Sequence, residues 1–135
     1  MNLSGKIAIV TGGSRGIGRA IATTLSKYGA SVVITYSKDE EGAKETLSYI
    51  NNNGGYCLAH RFDVSNYSEC SKFAQSVINT FGKVDILVNN AGLSNIGLFI
   101  DTDEALWNRL IDVNIKGIFN MSKCVLDNMH KNRSG

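Results

Sequence analysis

The chain has 135 residues, of which 43% are hydrophobic and 19% charged, and this composition is typical of one folded domain rather than a disordered segment. Its net charge of +2 is too small and too scattered to predict a protein that binds nucleic acid or a membrane surface. No apolar run is long enough to span a membrane and no secretory signal begins the chain, so we expect a cytoplasmic protein. The three cysteines are odd in number and lack C-x-x-C spacing, so we expect reduced thiols and no metal site.

A glycine-rich turn follows the first apolar run. The run Ile7–Val10 predicts a strand over residues 6–11 that is buried on both faces, and a helical pattern begins at Ile17. Glycine allows positive φ and close approach of a ligand, and the start of a helix offers unpaired N–H groups to an anion. We therefore predict a site for the phosphates of a cofactor, formed by Gly12, Gly13, Ser14, Arg15, Gly16, Ile17 and Gly18.

Two better-known glycine motifs do not fit this turn. A P-loop requires Lys and then Ser or Thr after its last glycine, but Arg19 and Ala20 follow Gly18. The common dinucleotide motif G-x-G-x-x-G does not fit either, because the glycines here are spaced G-x-x-x-G-x-G. A plain turn between a strand and a helix therefore stays open as the alternative to a cofactor site.

The rest of the chain continues to alternate strands with helices. Further strands are predicted over residues 31–36, 56–62 and 84–88, and helices over residues 17–28, 39–53 and 66–81. Asn66 and Glu69 predict a capping box, and Asp101 to Asp103 predict the start of a long fourth helix that continues through Val125. This alternation predicts an α/β fold, a doubly wound parallel sheet of four strands with four helices.

The end of the second predicted strand bears on the choice between NAD and NADP. An acidic residue there would bind the ribose hydroxyls of NAD and repel the 2′-phosphate of NADP. The chain instead has Tyr36 and Ser37, followed by Lys38, and Arg15 in the glycine turn adds a second positive charge. We therefore expect NADP(H). NAD(H) is the alternative if Asp39 folds back and the two cations are only solvated surface charges.

Polar residues also follow the third and fourth predicted strands. Asp63 can accept a hydrogen bond from an adenine amino group while Val64 packs on the ring, although a plain Asx turn explains the same residues. Asn90, Ala91 and Gly92 follow the next strand, and an amide beside two small residues can lie against a sugar. Their place at the C-terminal ends of strands favours ligand binding, because open α/β sheets bind ligands at that edge.

Asn114 interrupts the apolar face of the long helix, between Val113 and Ile115. A buried amide needs hydrogen-bond partners. We expect it either to loosen the helix and bind water, or to be a satisfied core amide or an exposed one. His60 and His130 have no partner nearby in the sequence, and we expect no catalytic role for them.

These motifs together resemble the classical short-chain dehydrogenase/reductase family, in particular its 3-oxoacyl-[acyl-carrier-protein] reductases. The motifs are Thr-Gly-x-x-x-Gly-x-Gly, the Asp-Val turn, Asn-Asn-Ala-Gly and the Val-Asn-x-x-Gly helix segment. The resemblance implies a Rossmann-type fold with strand order 3-2-1-4 and an NAD(P)-binding domain over residues 1–135. It also implies an NADP(H)-dependent reductase that converts a carbonyl to an alcohol on a small-molecule or acyl-carrier-bound substrate, and a tetrameric homo-oligomer.

The same resemblance assigns roles to residues beyond the glycine turn, which would bind the pyrophosphate and the adenosine phosphate. Ser37 would lie at the 2′-phosphate, Asp63 and Val64 at the adenine, and Asn90 at the ribose. Asn114 would be catalytic, because the family's asparagine at this position anchors a water in a proton relay.

The chain departs from the family pattern near its C-terminal end. The family's catalytic Ser and Tyr-x-x-x-Lys are absent, and the sequence stops at Ser134-Gly135, where the family's fifth strand begins. The resemblance therefore implies an N-terminal portion whose fourth strand is an edge prone to association, with no activity alone and weak or no NADPH binding. A non-catalytic nucleotide-binding or interaction module stays open. So do a sugar or steroid alcohol dehydrogenase and an elongation factor P 5-aminopentanone reductase.

Overall fold

The computed structural model describes residues 1–135, and its central element is a parallel sheet of four strands. The strands are β1 (Ile7–Val10), β2 (Ser31–Tyr36), β3 (Tyr56–Arg61) and β4 (Ile86–Val88). Their spatial order is β3-β2-β1-β4, and all neighbouring strands are parallel. This order confirms the predicted Rossmann-type fold.

Helices follow the strands as the alternation predicted. They are α1 (Gly16–Lys27), α2 (Glu40–Asn52), α3 (Tyr67–Phe81), α4 (Glu104–Ile111) and α5 (Gly117–Asn132). The predicted long fourth helix consists of α4 and α5, which are joined by a π turn over Asp112–Lys116. A π turn holds one residue more than an α-helical turn, so the helix is wound more loosely at Asn114, as expected. Binding of a water there stays a prediction.

Apolar cores cover both faces of the sheet, and this explains why β1 and β2 are continuous apolar runs. Alternate residues of these strands point to opposite faces, so that Ile9 belongs to one core and its neighbours Ala8 and Val10 to the other. The core under α3 and α5 includes Ile9, Val33, Phe73, Val77, Met121 and Val125. The core under α1 and α2 includes Val10, Val32, Ile34, Ala22, Ala43 and Ile50.

Side-chain caps fix the starts of three helices. Asp39 accepts a hydrogen bond from Gly42 N at 3.0 Å, and Asp103 accepts one from Leu106 N at 2.7 Å. Asn66 caps α3 by accepting from Glu69 N at 3.2 Å, as predicted. The second half of that capping box is not formed, however, because the Glu69 carboxylate accepts instead from the backbone N–H of Asp63, at 3.2 Å.

The N-terminal ends of β1 and β4 are joined by Asp85, whose side chain is only 2% exposed. Its carboxylate accepts hydrogen bonds from Ile7 N at 2.9 Å and Ser134 Oγ at 2.8 Å, and it pairs with Lys6 and Lys83, each at 3.0 Å. Burial by itself raises the pKa of Asp85, but these donors together hold that pKa well below its ordinary value.

β4 is an edge strand with half-buried side chains, as predicted. Apolar side chains are also exposed on the segment after β4 and on the outer side of α4 and α5; they include Ile96, Leu98, Phe99, Ile100, Trp107, Ile115, Phe119 and Leu126. Association of the chain through such surfaces stays a prediction. None of the helices combines the length and apolar character needed to cross a membrane.

Candidate nucleotide-binding site

A cleft of about 530 Å³ lies at the C-terminal edge of the sheet, where the turns after all four strands meet. The cleft lies beside β1, which has β2 on one side and β4 on the other, so the strand order reverses there. Open α/β sheets bind ligands at such a position. All the predicted cofactor-binding residues except Gly13 line the cleft: Gly12, Ser14, Arg15, Gly16, Ile17, Gly18, Tyr36, Ser37, Asp63, Val64, Asn90, Ala91 and Gly92.

The glycines of the first turn are required for two different reasons. Gly12 and Gly16 have positive φ values of +66° and +54°, which other residues adopt at a cost. Gly18 is required for space, because a Cβ there would lie 2.1 Å from the carbonyl oxygen of Gly12. Gly13 does not line the cleft, since it packs on β2, where a Cβ would lie 2.6 Å from the side chain of Ile34.

The start of α1 is free to receive an anion. Arg15 occupies the N-cap position and its side chain caps no backbone N–H group, so the first amides of α1 stay open toward the cleft. Ile17 falls on the same helical face as Ile21 and Leu25, yet its side chain is 74% exposed beside the cleft rather than packed in the core.

Thr11 and Asn90 join the turn after β1 to the turn after β4. The Thr11 hydroxyl accepts hydrogen bonds from Asn90 N at 3.0 Å and Ala91 N at 2.9 Å. The side-chain amide of Asn90 in turn donates to the carbonyl oxygens of Thr11 at 2.9 Å and Gly12 at 3.1 Å. Because both amide protons of Asn90 are used, only its Oδ1 remains available to a ribose.

Arg19 holds the glycine turn against α2, a role that the sequence did not suggest. Its Nε and one terminal nitrogen donate to the carbonyl oxygen of Ser14, at 3.1 and 2.7 Å. The same terminal nitrogen donates to Gly42 O at 3.0 Å, and the buried Thr46 hydroxyl lies 3.3 Å from Ser14 O. Neither Arg19 nor Thr46 lines the cleft, so both support its wall from behind.

Two cations and one carboxylate line the cleft near the end of β2. Arg15 and Lys38 are exposed, line the cleft and pair with no carboxylate of the chain. Asp39 also lines the cleft, but one of its oxygens caps α2 by accepting from Gly42 N. Only Oδ1 of this carboxylate is bonded to the helix start, and Oδ2 has no hydrogen-bond partner in the chain.

Asp63 forms the Asx turn that the sequence left open. Its Oδ1 accepts from Ser65 N at 3.0 Å and Ser65 Oγ at 2.7 Å. Its Oδ2 pairs with Arg109 of α4, which the sequence did not single out, and Arg109 also donates to Ser65 Oγ at 3.0 Å. Burial raises the pKa of Asp63, but Arg109 and Ser65 together lower it by more than burial raises it. The pKa therefore lies below its ordinary value. One lone pair of Oδ2 is left for an adenine amino group.

Val64 is held in place by α5. Its carbonyl oxygen accepts from the buried amide of Asn120 at 2.8 Å, and its side chain packs on Gly117, where a Cβ would lie 2.6 Å from Val64 Cγ2. Glycine at position 117 therefore lets α5 approach the turn that lines the cleft.

Asn114 lies beside the cleft and does not line it. Its Oδ1 accepts from Leu93 N at 2.8 Å and its Nδ2 donates to Leu93 O at 2.8 Å. The amide is therefore satisfied, and it ties the π turn to the segment after Gly92. His60 lies outside the cleft with its ring edge-on to Phe73 at 5.2 Å, and burial lowers its pKa.

A parallel sheet of this order, with a glycine turn and an open helix start beside β1, defines the Rossmann class of α/β proteins. Within that class, the chain belongs to the short-chain dehydrogenase family. The family model described as short chain dehydrogenase matches residues 6–135.

Relatives and solved structures agree with this assignment. The chain is 42% identical to a 3-oxoacyl-[acyl-carrier-protein] reductase of Vibrio cholerae, covering 100% of this chain and 54% of the relative. It is 39% identical to glucose 1-dehydrogenase 2 of Bacillus subtilis, covering 97% of this chain and 51% of the relative. A metagenomic short-chain oxidoreductase solved in complex with NADP superposes with a TM-score of 0.93 at 37% identity, covering 98% of this chain and 60% of that one. The chain thus spans about half the length of the curated relatives it matches.

Proposed function

We propose that the chain is the NADP(H)-binding portion of a reductase that converts a 3-oxoacyl group, carried on acyl carrier protein, to the 3-hydroxy form in fatty acid synthesis. The observation that carries the proposal is the cleft, in which the predicted glycine turn, the end of β2, the Asp63 turn and the turn after β4 meet. The names of several relatives near 40% identity support the substrate class.

The residues of the cleft fit a dinucleotide. The space beside Gly12, Gly16 and Gly18 lets a pyrophosphate approach the open amides at the start of α1. Val64 offers an apolar contact and Asp63 one acceptor to an adenine ring, while Asn90 Oδ1 can accept from a ribose hydroxyl. When bound, the nicotinamide ring would supply or take the hydride.

A preference for NADP(H) over NAD(H) follows from the charges at the end of β2. Arg15 and Lys38 are unpaired, whereas Asp39 is used as a helix cap. A 2′-phosphate near Ser37 would meet two cations and the single carboxylate of Asp39, so the positive charge would outweigh the negative and stabilise the phosphate.

Asn114 would act in the proton relay through a lone pair that Leu93 does not use. Both polar atoms of its side chain are bonded to the Leu93 backbone, so a relay water would bind the second lone pair of Oδ1 or the main-chain oxygen in the π turn. We therefore propose that Asn114 positions both this water and the segment after Gly92.

The 135-residue chain alone would not complete the reaction. None of its five tyrosines is followed four residues later by lysine, so the proton donor of the family is absent from this sequence. We expect purified chain to show no turnover of an acetoacetyl thioester with NADPH. A chimera that joins residues 1–135 to the part of the V. cholerae relative beyond the matched region would restore turnover. Activity of the chain alone would refute the proposal.

The cofactor site can be tested separately from catalysis with 2′,5′-ADP, which carries the adenosine half of NADP only. Titration of ¹⁵N-labelled chain should shift the amides of Gly12–Gly18 and Tyr36–Lys38, with weaker shifts for AMP, which lacks only the 2′-phosphate. Intact NADPH should bind this chain weakly, because the lysine that binds the nicotinamide ribose in the family is absent. Shifts confined to other surfaces, or none, would contradict the proposed site.

Two other functions stay as candidates. The 39% identity to glucose 1-dehydrogenase 2 favours a sugar as the substrate, which a chimera completed from that relative instead can test with glucose and NADP. The apolar side chains exposed near β4 and on α4–α5 favour a non-catalytic interaction module completed by another chain. In a complete reductase the same surfaces would form a tetramer, so sedimentation of the active chimera as a monomer would count against that assembly.

A further inference from the structure

We infer that Arg61 is a specificity-determining residue for the 2′-phosphate, and that it acts by positioning Ser37. The inference rests on the proposed NADP(H) function. Arg61 is the last residue of β3 and lies opposite Tyr36, the last residue of β2, in the parallel register. Its Nε donates to the carbonyl oxygen of Ser37 at 3.1 Å. Arg61 itself does not line the cleft, whereas Ser37 does.

The hydrogen bond from Arg61 to Ser37 O lies where the chain leaves the sheet after β2. The last bond of the β2–β3 ladder region joins Phe62 N to Tyr36 O at 3.0 Å, and α2 begins at Glu40. Between them, Ser37 to Asp39 belong to no strand or helix. Holding Ser37 O restricts this short segment before any ligand binds, so less conformational entropy is lost when the segment meets a phosphate.

The neighbouring charges leave Arg61 available for this role. The acidic residues near Arg61 already have partners. Asp63, two residues after it, pairs with Arg109, and beyond Ser37 the Asp39 side chain caps α2 while Glu40 pairs with Lys44 at 3.0 Å. Arg61 forms no ion pair within 4.0 Å, and its terminal nitrogens donate to no group of the chain. The end of the β2–β3 pair therefore carries two cations, of which Lys38 lines the cleft and Arg61 supports it, and Arg15 of the glycine turn adds a third.

The test compares dissociation constants of 2′,5′-ADP and AMP, which differ only in the 2′-phosphate, for the 135-residue chain and its variants. Arg61→Met should weaken 2′,5′-ADP about fivefold and leave AMP unchanged, a loss that corresponds to one screened charge-assisted contact. Arg61→Lys keeps the charge and a donor, and should recover at least half of that loss on a logarithmic scale. Lys72→Met removes an exposed cation from α3, outside the cleft, and should change neither constant.

Each outcome bears on the inference. An unchanged preference for 2′,5′-ADP in Arg61→Met, or an equal loss for both ligands, would overturn the role of Arg61 while the proposed cofactor site stands. An equal loss in Lys72→Met would show that only the net charge matters, and would overturn the positioning role. If the unsubstituted chain shows no preference for 2′,5′-ADP, the NADP(H) preference itself fails and the inference falls with it.

Discussion

Replacing Gly18 with alanine tests the tightest contact in the cleft. The new Cβ would lie 2.1 Å from the carbonyl oxygen of Gly12 and 2.5 Å from Nδ2 of Asn90. A carbon–oxygen contact normally requires about 3.3 Å, so the start of α1 and the glycine turn would have to separate by about 1 Å. No rotamer relieves this overlap, because the atom met first belongs to the backbone.

The expected loss of stability combines three effects. Overpacking of a well-packed site costs about 1–3 kcal/mol, and the displaced turn weakens the hydrogen bond from Asn90 to Gly12, worth about 1 kcal/mol. Alanine is favoured over glycine within a helix by about 1 kcal/mol, which offsets part of this. We expect a net loss of about 2 kcal/mol in the free energy of unfolding, together with at least a tenfold loss of 2′,5′-ADP binding.

Urea unfolding and the ¹⁵N titration with 2′,5′-ADP measure the two effects on the same sample. Gly5→Ala is the matched control, because Gly5 has a φ of +74° and a Cβ there would meet no atom within 4 Å. This variant should lose about 1 kcal/mol through its backbone conformation and keep its ligand binding. If Gly18→Ala is as stable as the unsubstituted chain and binds 2′,5′-ADP equally well, the reasoning from the close approach is refuted.

Two further predictions concern the support of the fold. Asp85→Asn should cost about 2–3 kcal/mol at pH 7, because two lysines and a buried N–H lose their anionic partner. Since the pKa of Asp85 is lower in the folded chain than in the unfolded one, its contribution is full above about pH 4 and is lost as the pH falls further. Urea unfolding at pH 7 and pH 3 should therefore differ less for the variant than for the original chain, and equal differences would contradict this role. Asn114→Ala should cost about 1–2 kcal/mol and speed hydrogen exchange of the Leu93 amide, which loses its acceptor; unchanged exchange would rule out the tie between the π turn and this segment.

Much of the fold could be predicted because its signals are local. The apolar runs of β1 and β2, the glycines between β1 and α1, and the caps Asn66 and Asp103 each act over a few residues. The predicted bounds are too wide mainly at β4, where Val84 and Asp85 lie before the strand. These two residues instead lie at the N-terminal end of the sheet, where Asp85 N donates a hydrogen bond to Ile7 O at 2.9 Å.

The residues that the sequence did not identify are those whose roles depend on distant partners. Arg109 meets Asp63 across 46 positions, Arg61 meets Ser37 across 24, and Arg19 reaches Gly42 across 23. A single arginine on a helix or at a strand end has no sequence pattern that separates a structural support from a solvated charge. The capping box failed for a related reason, since the Glu69 carboxylate found a donor at Asp63 that only the folded turn provides.

The bonds between Thr11 and Asn90 have a consequence for the order of folding. They join parts of the chain 79 residues apart, and β1 can pair with β4 only after β2, β3 and their helices have been made. Closing so long a loop costs entropy before any contact repays it, which makes such parallel pairings slow. On the ribosome, β1 and the glycine turn would therefore emerge long before β4 and the turn after it. The part of the cleft that Thr11 and Asn90 hold together would form as one of the last steps.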